Sequence, residues 1–428
     1  MLKRIFALLL VFCMTLSGMA LHAFAQSDLS GSDNAAQSIT PLNDEEGEEG
    51  DLDGDVSVDE IRFVTISLGS SMELSVPASL KNQPIYWDSA DASIVSVSNG
   101  VITAHAVGEV FISGILENGD SLLYLVEVSG DVVRISGSDR IATAISAADQ
   151  MKAVLGKSSF DAIIIANGDN FADALTGSFL ANAKSAPILL YRAKGMEKNE
   201  EYIQKNLSAN GIIYILGGKS AVPESVEVRL IDAGYNVQRL EGTTRFETNL
   251  KILEAAGVKN QEILICTGWE YADSLSASAT GLPIVMVNTT TNKLTDGQIT
   301  FFQQYAGNQF TIIGGEGAVS KELEADIEAI VGEVDRVSGS IREETSVAIA
   351  NRYFGTPDCA LIAFSRNFPD GLCGGPLAYA MKAPLLLVNA GKESAAAAYV
   401  DACAITKGLI LGGSTALSET VVEKIFFQ

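Results

Sequence analysis

Between residues 61 and 129 apolar and polar positions alternate in short runs: VTISL, MELSV, IVSVS, VITAHAV, VFISGIL and LLYLVEV. Gly, Asn or Pro break the runs at intervals typical of a small antiparallel two-sheet domain. Trp87 is the expected aromatic filler between its sheets. From residue 131 the texture changes. Short apolar runs no longer alternate, which predicts parallel strands buried on both faces. In the first such stretch the runs are Ala162–Ala166, Pro187–Tyr191 and Ile212–Leu216. Between them fall helical patterns: Asp139–Met151 with Ser138 or Asp139 as N-cap, Phe171–Ala183, Glu197–Leu207, and Pro223–Asp232 with proline near its first turn.

This strand–helix pattern occurs three times. Its signatures are RISGSDR (Arg134–Arg140), RLEGTTR (Arg239–Arg245) and RVSGSIR (Arg336–Arg342). Each is followed by a turn, ANGDNFADAL, CTGWEYADSL or AFSRNFPDGL, and then by an apolar run ending in two glycines. The spacing between signatures is 105 and then 97 residues, too long for a solenoid and right for small domains. A triplicated module suits multivalent binding better than a single catalytic event. Copy two runs from Asp273 to Pro283 in ten residues where the other copies take fourteen, a loss of about one helical turn.

The ends of the chain add a secretory reading. Lys3 and Arg4 precede the apolar run Ile5–Leu16, and Ala23-Phe24-Ala25 is a small-x-small cleavage site. Residues 1–25 are therefore expected to be a signal peptide, with maturation at Gln26. Val11-Phe12 before Cys13 does not suit lipidation, and no later stretch is long and apolar enough to cross a bilayer. Residues 26–60 are polar and then acidic, an expected solvated tether. Asp51, Asp53 and Asp55 have calcium-loop spacing, but Val56 stands where that loop needs glycine, so no metal is expected.

Charge and composition narrow the chemistry. The formal net charge is −24, which excludes a broadly basic nucleic-acid surface. His22 and His105 are the only histidines, so residues 131–428 hold none. That removes histidine triads and histidine-bound zinc from the repeats. His105 reads as a strand residue. Past the signal the cysteines are Cys266, Cys359, Cys373 and Cys403, three of them in copy three. A shared disulfide framework is excluded and a local bridge in copy three stays open. No catalytic residue, cofactor or metal is assigned.

The recurrent polar residues are the binding candidates: Arg134, Arg140, Asp173, Arg239, Arg245, Asp273, Arg336, Arg342 and Asp370. Arginine can grip phosphate or carboxylate in a bidentate fork. Each aspartate either caps a helix, pairs with its own copy's arginine, or contacts ligand. The glycine pairs Gly217-Gly218, Gly314-Gly315 and Gly412-Gly413 either only close a tight turn or offer backbone N–H groups to an anion. Gly218-Lys219-Ser220 mimics half a phosphate loop, but Ile213 occupies the first glycine position, so nucleotide binding is rejected. The strand-end segments Ile188-Leu189-Leu190 and Leu385-Leu386-Leu387 complete the candidates.

RISGSDRIATA, the FADAL turn, the APILL strand and the ILGG turn together resemble the cell wall binding repeat of type 2, over residues 132–428. YWDSADASIVSVSNGVITAHAVGEVFISG is similar to the group 2 bacterial Ig-like domain, through Trp87, Ser89, Val95, Val97, Gly100, Gly108 and Ile112. The resemblances imply an α/β fold: three tandem parallel-sheet modules, residues 131–235, 236–332 and 333–428, packed in one trimer-like block. An all-β Ig-like sandwich, 61–130, precedes them. They also imply a Gram-positive, surface-layer-associated protein, held without covalent bonds on an anionic secondary wall polymer, teichoic-acid-like or polysaccharide, with sites at or near module junctions. The Ig-like domain would meet other surface proteins or host ligands. The alternative is a modifier or component of a peptidoglycan hydrolase system, or an adhesin.

Overall fold

The computed structural model describes residues 61–426, apart from 68, 69, 82, 106, 107, 118, 119 and 130. The expected signal peptide and acidic tether lie outside the described residues. The chain divides into two compact units at residue 129.

In the first unit, strands Arg62–Ser67, Ser121–Ser129, Gly108–Leu116 and Ile85–Ser89 lie side by side in that order. Strands Ser71–Glu73, Val101–Ala104 and Val95–Ser98 form a second sheet. Arg62–Ser67 runs parallel to its neighbour and the other pairings are antiparallel. Alternate residues of the larger sheet (Val110, Ile112, Tyr124, Val126) share one core with Leu74, Val95 and Ile102. Trp87 packs on it, 5.9 Å from the Tyr124 ring. Gly114 leaves room for that indole: a Cβ there would stand 3.0 Å from it. His105 is exposed just past a strand, with Nε2 2.7 Å from the Ser96 hydroxyl.

The second unit holds three four-stranded parallel sheets. Their orders are Ile188–Tyr191, Phe160–Asn167, Leu207–Leu216, Asn236–Leu240; then Ile284–Val287, Ile263–Thr267, Phe310–Ile313, Val334–Val337; then Leu385–Val388, Cys359–Phe364, Lys407–Leu411, Asp131–Ile135. The three strands that begin each order follow the expected apolar runs. The fourth strand crosses the repeat boundary. Asn236–Leu240, which carries Arg239, pairs with the last strand of copy one. Val334–Val337, with Arg336, completes copy two. Asp131–Ile135, with Arg134, completes copy three. The exchange is cyclic, so the first and last copies of the sequence are also sheet neighbours. Mixed α/β architecture with parallel sheets in repeated modules follows.

The helices agree closely with the pattern. Arg140–Val154 is capped by Asp139, whose carboxylate accepts the Ala142 N–H at 2.9 Å. Met196–Asn206 ends one residue earlier than expected, because Leu207 already begins a strand. Three short helices gather at the centre: Ala172–Lys184, Ala272–Ala277 and Gly374–Met381. Ala, Ser and Gly dominate their facing sides, which lets three helices approach closely. Leu175, Leu275 and Leu372 fill the middle with no exposure. A Cβ at Gly375 would collide with the Ser278 hydroxyl, so a larger residue there would force the helices apart. Copy two shows its deletion here, as a six-residue helix against thirteen in copy one. All four described cysteines are free, so copy three contains no bridge.

Candidate binding site at the junctions between copies

The two arginines of each signature do different work. The first one holds a Gly-Gly turn. Arg239 donates to the Gly217 carbonyl at 2.9 Å and pairs with Glu227 at 2.7 Å, with its side chain 7% exposed. Arg336 donates to the Gly314 and Val319 carbonyls and to Glu324. Arg134 donates to the Gly412 carbonyl and to Glu419. In each case the arginine of one copy clasps the turn of the preceding copy in the cycle. Its guanidinium is thereby committed inside the protein.

The glycine turn is shaped for the recurrent aspartate. Gly217, Gly314 and Gly412 have φ of +90°, +109° and +101°, in the region that disfavours a side chain. A Cβ at any of them would strike the carboxylate of Asp173, Asp273 or Asp370 respectively. The second glycines differ: a Cβ at Gly315 or Gly413 would meet open space. The first glycine thus serves close packing, while the second stays free of steric demand.

None of the three aspartates is the N-cap of a helix; Asp173 and Asp273 lie in the first turns of theirs. Nor is the cation facing it that of its own copy, which corrects the pairing expected from the sequence. Burial pushes Asp173 up to about 6, and Arg245 of copy two pulls against that rise. Burial likewise pushes Asp273 up to about 6, with Arg342 of copy three opposing and Glu270 adding to the rise. Asp370 is raised by burial and held back by Thr143 and Arg140 of copy one. Each junction therefore joins an aspartate and a glycine turn of one copy to the second arginine of the next.

Those second arginines each donate to a backbone carbonyl of their own copy and are only part-buried. Arg140 donates to the Gly168 carbonyl and pairs with Asp169 at 2.8 Å. Arg245 donates to the Gly268 carbonyl at 2.6 Å. Arg342 donates to the Ser365 carbonyl and the Tyr271 hydroxyl, both at 3.0 Å. Just inside them Phe171, Tyr271 and Phe368 meet edge to face, with centroids 5.5–5.9 Å apart. The sequence showed these aromatics beside the aspartates, but nothing in it revealed that they touch. The strand-end candidates Ile188, Leu189, Leu190, Leu385, Leu386 and Leu387 are core, at most 1% exposed.

A cleft of about 260 Å³ opens at the junction of copies one and two. Asn167, Asn170 and Asp173 line one side, and Thr243, Thr244 and Arg245 the other. Of these only the aspartate and arginine were singled out beforehand. Aligning the three copies at the strand-end turn would have exposed Asn170 and its neighbours as variable polar positions.

The sequence pattern of Cell wall binding domain 2 (CWB2) matches three times, at residues 134–227, 239–324 and 336–422. This chain belongs to the CWB2 family. Each match opens on the arginine that clasps the preceding glycine turn. Among related sequences, N-acetylmuramoyl-L-alanine amidase LytC of Bacillus subtilis is 24% identical over 69% of this chain and 58% of its own. The Amidase enhancer of the same organism is 28% identical over 69% of this chain and 41% of its own. The chain thus spans roughly half the length of these relatives. Among solved structures, Cwp8 from Clostridium difficile superposes with a TM-score of 0.62 at 24% identity, covering 85% of this chain and 68% of that one. Cwp6 from Clostridium difficile gives 0.59 at 21%, covering 76% and 59%. These likenesses show the CWB2 fold. Among the described residues no helix is long and apolar enough to cross a membrane.

Proposed function

We propose that this CWB2 protein is exported and attaches non-covalently to an anionic polymer of a Gram-positive cell wall, alongside a surface layer. The junctions between copies are the contact points, and residues 61–130, read as an Ig-like domain, are displayed from the anchor. The observation that carries this reading is the repeated junction, in which a part-buried arginine of one copy stands over the aspartate and glycine turn of its neighbour. Such an arginine can accept a polymer phosphate or carboxylate. Three linked weak contacts multiply retention, and salt weakens each of them. No bond is broken in this function.

Co-sedimentation of the full chain with purified walls tests it, before and after acid extraction of the secondary polymer. Binding lost on extraction supports a polymer anchor. Equal binding to stripped peptidoglycan refutes it and favours the second reading, a modifier of a peptidoglycan hydrolase. That second reading draws on the likeness to an amidase and an amidase enhancer.

A further inference from the structure

The three junctions are built from matching parts but do not present the same surface. The difference lies one residue past the carbonyl that anchors each second arginine. Copy one has Asp169 there, copy two Trp269, and copy three Arg366. Asp169 takes the charge of Arg140 at 2.8 Å and of Arg192 at 3.0 Å. At the third position of the cycle Arg342 is engaged by the Tyr271 hydroxyl and has Glu270 at 4.0 Å.

Copy two is different in kind. Arg245 makes no ion pair within 4.0 Å among the described residues, and its guanidinium lies 4.4 Å from the centre of the Trp269 ring. The indole is fixed in place. Its N–H donates to Asn288 Oδ1 at 2.9 Å, and its ring meets that of Phe246 at 75°, 6.0 Å between centroids. Yet Trp269 is 42% exposed, an unusual state for the largest apolar side chain. Arg245 also lines the cleft of about 260 Å³ between copies one and two. That volume lies near the lower edge of small-ligand sites, about 300–1,000 Å³. An exposed, pre-oriented aromatic beside a cation whose facing acid, Asp173, stands beyond ion-pair distance suits a ring with an apolar face and an attached anion.

We infer that the junction of copies one and two is a saccharide site, in which Trp269 supports a sugar ring and Arg245 takes that sugar's phosphate or carboxylate. It rests on the proposed wall attachment and adds that the three junctions are not equivalent. Asn170, Asp173 and Thr243 line the cleft together with Arg245, and Trp269 adjoins that arginine outside the lining. The stacking surface costs little conformational entropy because the indole is already held. The other two junctions supply weaker contacts.

The chain has two tryptophans, Trp87 and Trp269, so a ¹H–¹⁵N spectrum of the full protein contains two indole resonances, assigned with Trp269→Phe. Glucose 1-phosphate, glucuronic acid, methyl glucoside and inorganic phosphate are titrated separately, to roughly tens of millimolar. The expected result is a shift of Trp269, and not Trp87, with one or both acidic sugars, lost in Arg245→Gln. The more potent acidic sugar tells a phosphodiester polymer from a uronate polymer. No shift with either acidic sugar overturns the site, and an equal shift with inorganic phosphate removes the saccharide from it. In wall co-sedimentation, Trp269→Ala and Arg245→Gln should weaken binding about tenfold. Trp269→Tyr should restore it, and Arg140→Gln and Arg342→Gln should change it less than about twofold. Thermal melts confirm that each variant is folded. Equal losses at all three arginines overturn the inequality while leaving wall attachment intact. If the parent protein fails to sediment, the wall reading falls and the sugar titration alone decides this site.

Discussion

Asp173 is a part-buried carboxylate whose proton affinity exceeds that of an ordinary aspartate, and this makes a sharp test. Its carboxyl rises from 3.8 to about 6 because burial outweighs the attraction of Arg245. The folded state therefore holds the proton more tightly than the unfolded chain. The sign follows from linkage: the stabilisation by this group is complete below the unfolded value near pH 3.8 and is lost as pH rises through about 6. The full loss is about 3 kcal/mol, and about 2 kcal/mol of it falls between pH 4.5 and 7.5. Asp173→Asn keeps the shape and removes the titration. Any fixed cost of the amide enters at both pH values. The quantity to measure is the stability of variant minus parent, by urea unfolding at pH 4.5 and at 7.5. It should move in favour of the variant by about 2 kcal/mol at the higher pH. Identical pH dependence in the two proteins would refute the argument that Asp173 is charged at a cost. If the shift is found, the parent retains a destabilising charge at neutral pH, which is the pattern of a residue kept for binding.

The remaining predictions concern the clasp, the turn and the axis. Arg239→Ala should lower stability by about 3 kcal/mol, since it strands Glu227 and the Gly217 carbonyl; a thermal melt within a degree of the parent would contradict the clasp. Gly217→Ala should cost at least about 2 kcal/mol, because it combines a positive φ with a collision against Asp173. Gly315→Ala, with open space at its Cβ, should stay within about 0.5 kcal/mol, so equal effects in denaturant titrations would count against this account. Phe368→Ala removes one member of the central aromatic trio and should cost about 3–4 kcal/mol in urea unfolding. Wall retention of the full chain should fall steadily as sodium chloride rises from about 0.05 to 0.5 M; salt-independent sedimentation would point away from arginine–anion contact.

Much of the second unit was legible because each strand buried on both faces must be apolar throughout, whatever its partners. That is why Ala162–Ala166 and Ile212–Leu216 read correctly as strands. The recurrence of Arg, Asp and Gly-Gly was equally visible, since each copy repeats the same steric problem. Periodicity, however, is blind to which copy a strand joins. Asn236–Leu240 has the same apolar pattern whether it closes copy one or opens copy two, and only hydrogen-bond register assigned it to copy one. The same ambiguity hid the Asp173–Arg245 relation and the separate tasks of Arg239 and Arg245. Trp269 gave no signal of its own, because an isolated tryptophan reads as core until its exposure is known.

Sequence by itself determined the elements, their triplication, and the residue types available at each junction, because these depend on local burial and on backbone demands such as those of Gly217. Tertiary structure alone decided that the copies exchange edge strands in a cycle. It also decided that each part-buried aspartate faces its neighbour's arginine, and that one junction leaves its cation beside an exposed indole. Those outcomes depend on through-space neighbours from distant parts of the chain, and a repeated pattern of residues cannot distinguish one copy's surroundings from another's.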